Sequence, residues 1–157
     1  MFNRIVLILI ITGFVYAKDE QKVVLITGTA YGIGKSTAEL LIDKGHIVYG
    51  GDILVEENLY LNDIGGTALE MDVTNQEHID KAINQIISEQ GRVDVLVNNA
   101  GLGVYGAIED VSMEDIYYQY DVNLFGLARV TKAVLPYMLS LIHISEPTRL
   151  LSISYAG

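Results

Sequence analysis

The sequence predicts an α/β fold, a parallel sheet wound on both faces by helices. Three observations carry this. Short apolar runs of strand length occur at Val23-Val24-Leu25-Ile26 and at Ile47-Val48-Tyr49, and largely apolar ones at 68–71 and at 93–97. Segments with helical periodicity lie between them. Glycines at 28, 45, 65–66 and 91 punctuate the turns. Strands that alternate with helices need right-handed crossovers, which gives a parallel sheet. The chain has 157 residues, enough for one domain, and 50% are hydrophobic, enough for a real core.

The first strand, Val23-Val24-Leu25-Ile26, is apolar throughout and suits a buried parallel position. Thr27-Gly28 turns the chain, Gly32 and Gly34 follow, and a helix is expected over 32–44 with Ile33, Thr37, Leu40 and Leu41 as its periodic set. Lys44-Gly45 gives it a basic last turn and a glycine stop. The second strand covers 46–50, with Asp52 just beyond. Residues 56–66 are polar and read as one short helix with a Gly65-Gly66 turn. A third strand over 68–71 is ended by Asp72.

Thr74-Asn75-Gln76-Glu77 reads as a capping box, with Thr74 as the cap. The helix it opens carries Ile79, Ile83, Ile86 and Ile87 on one face and closes at Gly91. The fourth strand, 93–97, delivers Asn98-Asn99-Ala100-Gly101 at its carboxyl end. A glycine-rich loop over 101–111 leads to a Ser112 cap and one long helix to about 138. Its stripe is Ile116, Tyr120, Leu124, Leu127, Thr131, Val134 and Met138, with Asn123 beside it. Pro136 is expected to kink or close the last turn.

Strand, glycine turn and helix in that order make a phosphate site. Glycine lets the backbone approach a diphosphate, and a helix start presents unpaired N–H groups with partial positive charge. A carboxylate at the end of the second strand, here Asp52, accepts hydrogen bonds from a ribose 2′-OH and repels a 2′-phosphate. The plainer reading makes Asp52 a turn residue after Gly50-Gly51. Asn98-Asn99 likewise serve a strand-to-loop turn, and a mid-helix Asn123 is ordinarily a surface or satisfied polar group.

The formal net charge is −10, which argues against nucleic acid or an anionic membrane surface as main partner. There is no cysteine, so disulfides, thiol catalysis and cysteine metal sites are excluded. The three histidines are scattered, and none has a second ligand-type residue at metal spacing, so no metal site is expected.

The glycine spacing is G-x-x-x-G-x-G. Thr27-Gly28-Thr29-Ala30-Tyr31-Gly32-Ile33-Gly34 resembles the cofactor motif of classical short-chain dehydrogenases/reductases. Asn98-Asn99-Ala100-Gly101 matches their NNAG motif, Asp72-Val73 their adenine-contacting pair, and Asn123 their catalytic-tetrad asparagine. The resemblance covers about 21–138. It implies a Rossmann-like, doubly wound sheet, truncated after the fourth strand and its long helix, and an alcohol/ketone oxidoreductase. The coenzyme is expected to be NAD rather than NADP, and the parent enzyme a homo-oligomer. Gly28, Tyr31, Gly32, Ile33 and Gly34 would line the phosphates, Asp52 the adenosine ribose, and Asp72 and Val73 the adenine. Asn99, Ala100 and Gly101 would lie under the ribose and nicotinamide. Asn123 would support catalysis by positioning a water in a proton relay. The substrate is a small alcohol or ketone, with a weak resemblance to members acting on lipophilic ones.

The family pattern continues with a serine-bearing strand and Tyr-x-x-x-Lys, which do not follow the long helix here. The chain as written is therefore expected to lack normal turnover. A non-catalytic nucleotide-binding module is the alternative. An extended-type relative is disfavoured by the three residues between Gly28 and Gly32. Residues 139–157 resemble a translated sequencing adapter and are expected to be an artefactual tail. The rival register puts Ser154 or Tyr155 near the catalytic serine. Residues 1–17 hold one arginine before an apolar run shorter than the roughly 20 residues that span a bilayer. They read as a signal peptide or short membrane anchor, hence the secretory pathway or a membrane, or else as a mis-called start on a cytoplasmic protein.

Overall fold

A computed structural model of the chain describes residues 20–140. The signal-like segment and all but the first two residues of the expected tail lie outside them. Four strands, β1 (Val23–Thr27), β2 (Ile47–Asp52), β3 (Thr67–Glu70) and β4 (Val95–Val97), form one parallel sheet in the order β3-β2-β1-β4. That is the strand order of a doubly wound, Rossmann-like sheet. Leu25 sits opposite Tyr49 on one side and Leu96 on the other, so β1 is central.

Alternate residues of β1 face opposite sides and bury two cores. Val23 and Leu25 join Tyr49, Leu69 and Met71 beneath the helices α4 (Gln76–Gln90) and α6 (Leu127–Ser140). Val24 and Ile26 join Val48, Ala38 and Leu61 beneath α1 (Gly32–Asp43) and α3 (Tyr60–Asp63). Helices therefore cover both faces, as a doubly wound sheet requires.

Several local expectations are corrected. The core face of α1 is Gly34 and Ala38, with Leu41 and Ile42 partly buried. Ile33 and Leu40 are exposed. Small residues win this face because a side chain on Gly34 would collide with the Gly28 carbonyl and the Asn99 amide. The second strand runs two residues past its expected end, so Asp52 is its last member. The polar stretch after it forms two four-residue helices, α2 (Val55–Asn58) and α3, broken at Leu59.

The cap of α4 is Asn75, not Thr74. Its side chain accepts from the Glu77 and His78 amides, at 2.9 and 3.4 Å. Thr74 is held toward Asp72 instead, its amide and hydroxyl both donating to Asp72 Oδ1, at 2.8 and 2.7 Å. The α4 face is otherwise as read, with Ile79, Ile83 and Ile86 buried and Gly91 closing it at φ 73°.

The long helix is three pieces. α5 (Met113–Tyr120) is capped by Ser112, a π-helical turn follows over Asp121–Gly126, and α6 completes it. The wider turn shifts the register, so the buried line is Val122, Gly126, Val130 and Val134. Leu124 and Leu127 of the expected stripe are exposed. Gly126 allows the close pass, since a Cβ there would lie 2.6 Å from Val73 Cγ2. Pro136 lies inside α6, which continues to Ser140 rather than closing.

Candidate functional site

The carboxyl ends of β1, β2 and β4 converge on a cavity of about 410 Å³. Open parallel sheets hold ligands at that end, where the crossovers diverge. Of the residues singled out from the sequence, Gly28, Tyr31, Ile33, Asp52, Val73, Asn99, Ala100 and Gly101 line it.

The floor is the turn between β1 and α1. Gly28 has φ 74° and Gly32 φ 60°, which favour glycine. At Gly28 space is short as well, since a Cβ would lie 2.8 Å from Ala100 Cα. The start of α1 carries no side-chain cap and no acidic residue in its first turn. α4 and α5 have both, through Asn75 with Glu77 and through Ser112 with Glu114 and Asp115. The first amides of α1 are thus the ones left for an outside acceptor. Among the described residues no lysine or arginine lines the cavity, so the groups they offer for charge neutralisation there are backbone dipoles.

Asn99 locks this turn to the end of β4. Its Nδ2 donates to the Thr27 and Gly28 carbonyls, at 3.0 and 2.8 Å. Thr27 Oγ1 accepts from the Asn99 and Ala100 amides, at 3.1 and 3.0 Å. Asn98 faces away, donating to Thr131 Oγ1 at 3.0 Å. Asp52 is buried, and its carboxylate accepts from the Ala30 amide at 2.9 Å and the Leu54 amide at 2.9 Å. Each carboxylate oxygen has acceptor capacity for a second donor, so a ribose hydroxyl can still be received.

The remaining predicted residues lie outside the lining. Gly32 is exposed at the helix start, and Gly34 is buried beneath the turn. Asp72 turns its carboxylate to Thr74, leaving Val73 to face the cavity. Asn123, on the π-helical turn, holds the loop after Gly101. Its Oδ1 accepts from the Leu102 amide at 2.9 Å and its Nδ2 donates to the Leu102 carbonyl at 2.7 Å. Tyr31 and Lys35 have Tyr-x-x-x-Lys spacing, but the Lys35 ammonium sits over the Tyr60 ring, 4.3 Å from its centroid.

Sequence reasoning missed Met71, Leu102, Tyr118 and Val122 as apolar lining, and Ile53 and Leu54 at the rim. The hydrophobic stripe of the last helix held a signal for Val122, but in the wrong register. It also missed Thr29, Asn58 and Tyr60. Thr29 Oγ1 donates to Asn58 Oδ1 at 2.8 Å, and Tyr60 OH donates to the Thr29 carbonyl at 3.0 Å. Burial, then the charges of Glu39 and Asp52, push the Tyr60 phenol up to about 12.

Sheet order, glycine turn and acidic strand end together define a dinucleotide-type α/β domain. The short chain dehydrogenase family model matches residues 22–146, and the chain belongs to that family. It is 44% identical over 144 residues to a 3-ketodihydrosphingosine reductase of Bacteroides thetaiotaomicron, covering 88% of this chain and 52% of that protein. It is 39% identical over 127 residues to a 3-oxoacyl-(acyl-carrier-protein) reductase of Thermotoga maritima, covering 76% and 51%. Among solved structures, the 3-ketoacyl-(acyl-carrier-protein) reductase of Brucella melitensis complexed with NADH superposes with a TM-score of 0.71 at 31% identity. That match covers 74% of this chain and 50% of the other. The chain spans about half the length of the curated relatives it matches.

Proposed function

We propose that these residues are the coenzyme-binding part of a nicotinamide-dependent oxidoreductase that interconverts an alcohol and a ketone. The observation that carries this is the uncapped, acid-free start of α1 opening into a cavity beside the buried Asp52 carboxylate. A dinucleotide fits these groups: α1 amides for its diphosphate, Asp52 for its adenosine ribose, and Val73 with the rim residues for its adenine. When bound, such a coenzyme supplies or accepts a hydride. Asp52 favours NAD, because a 2′-phosphate would meet a carboxylate in a site to which the described residues bring no cation. Asn99 fixes the turn from below, and Asn123 fixes the Leu102 backbone where a substrate would approach.

The substrate reading is a carbonyl on a lipophilic chain. It is supported by the 3-ketodihydrosphingosine reductase relative and by the apolar lining at Leu102, Tyr118 and Val122. Residues 1–17 would tether the protein to a membrane, which cell fractionation with and without them tests. Calorimetric titration of the chain with NADH and NADPH tests the function itself. Binding with NADH preferred supports it, and absence of heat with both coenzymes overturns it.

A further inference from the structure

The turn that would hold the diphosphate is braced by residues far outside its motif. Gly28 N donates to the Gly51 carbonyl at 2.7 Å, and Ala30 N to Asp52 at 2.9 Å. Between them Thr29, fully buried, is gripped twice. Asn58 Oδ1 accepts from its hydroxyl and Tyr60 OH donates to its carbonyl. Asn58 is itself 1% exposed, and its Nδ2 donates to the Gly50 carbonyl at 2.8 Å and the Leu69 carbonyl at 3.5 Å. One amide side chain thus joins the β1 turn to β2 and β3.

This arrangement is more than a satisfied core. A buried polar group costs stability unless all its partners are in place, and an apolar pair of the same shape would fill the space equally well. What the polar version adds is direction. It fixes the φ, ψ of the three residues before Tyr31, and so the aim of the first α1 amides. Lys35 over the Tyr60 ring limits that ring's freedom in turn.

We propose that Asn58 and Tyr60 are positioning residues for the coenzyme, which by clamping Thr29 hold the turn amides in the geometry that receives a diphosphate. Binding to a preset turn avoids the entropy of ordering it. The inference rests on the coenzyme reading above and locates part of its affinity in the β2–β3 connection.

The test uses the full chain and the variants Tyr60→Phe, Thr29→Val and Thr29→Ser. Phenylalanine keeps the ring and its packing and removes only the hydrogen bond. NADH affinity is measured by calorimetry, adenosine affinity by ligand-observed NMR, and folding by thermal melting. Tyr60→Phe and Thr29→Val are expected to weaken NADH about three- to tenfold, the size of one neutral hydrogen bond. Thr29→Ser, which keeps the hydroxyl, is expected to stay close to the parent. Adenosine, having no phosphate, is expected to bind all four proteins alike. NADH affinity unchanged in both Tyr60→Phe and Thr29→Val overturns the clamp, as does an equal loss for adenosine. Failure of the unsubstituted chain to bind either nicotinamide coenzyme overturns the coenzyme reading instead, so the two failures are distinct.

Discussion

Asp52 ties the turn through the Ala30 amide and the following loop through the Leu54 amide. On the proposed reading the same carboxylate, which lines the cavity, would also meet an adenosine ribose. Asp52→Asn separates the two roles, since an amide keeps an acceptor for one backbone N–H but loses the charge. Its expected outcome is a fall in the NADH-over-NADPH affinity ratio of about tenfold or more, read by paired titrations. An unchanged ratio assigns Asp52 to the turn alone.

Two phenols make a second residue-scale prediction. Burial first, then hydrogen bonding to Glu89, raises Tyr49 to about 12, and burial raises Tyr60 to about 12. A raised folded pKa favours the folded state while the phenol is protonated. That contribution is complete below pH 10.0, the ordinary value, and is lost as pH climbs toward about 12. Melting temperature should therefore fall across this window. Tyr49 and Tyr60 should titrate late by phenolate absorbance, and a single transition near the ordinary value would contradict both assignments.

At the scale of elements, most boundaries were legible because the strands are short, largely apolar runs and most turns hold a glycine. What was not legible came from competition between neighbouring groups. Thr74 and Asn75 both satisfy helix-start chemistry, and only the carboxylate of Asp72 decides between them. Replacing Asn75 with alanine should cost about 1 kcal/mol in denaturant unfolding. No loss would return the cap to Thr74. The π-helical turn was equally hidden, for a one-residue widening leaves the composition of a helix unchanged and moves only its phase. It puts Val122 in the cavity wall, Gly126 against Val73 and Asn123 at the Leu102 backbone. Thr29, Asn58 and Tyr60 left no sequence signal, because their association depends on how β2 and β3 bring the ends of their connection together.

For the molecule as a whole, the order β3-β2-β1-β4 leaves β1 buried on both sides and β4 paired on one. Among the described residues the outer edge of β4 has no strand beside it, and Val95 is 37% exposed there. Unpaired apolar edges recruit other strands. The 157-residue chain is expected to self-associate as concentration rises, and Val95→Lys to reduce this in light scattering. A monomeric, cooperative melt at high concentration would contradict that expectation. The fold class was readable from periodicity alone, and the glycine turn with its acidic strand end gave the cavity its floor and one wall. The apolar wall contributed by Tyr118 and Val122 is a product of packing.

On the proposed reading the amides opening α1 receive the diphosphate of a nicotinamide dinucleotide. Amide chemical shifts of the isotope-labelled chain, followed during NADH addition, decide this. Saturable shifts are expected, concentrated at Gly28, Tyr31, Gly32, Ile33 and Gly34, with a second group at Asp52 and Val73. Saturable shifts located elsewhere, or none at all in a folded chain, would contradict it.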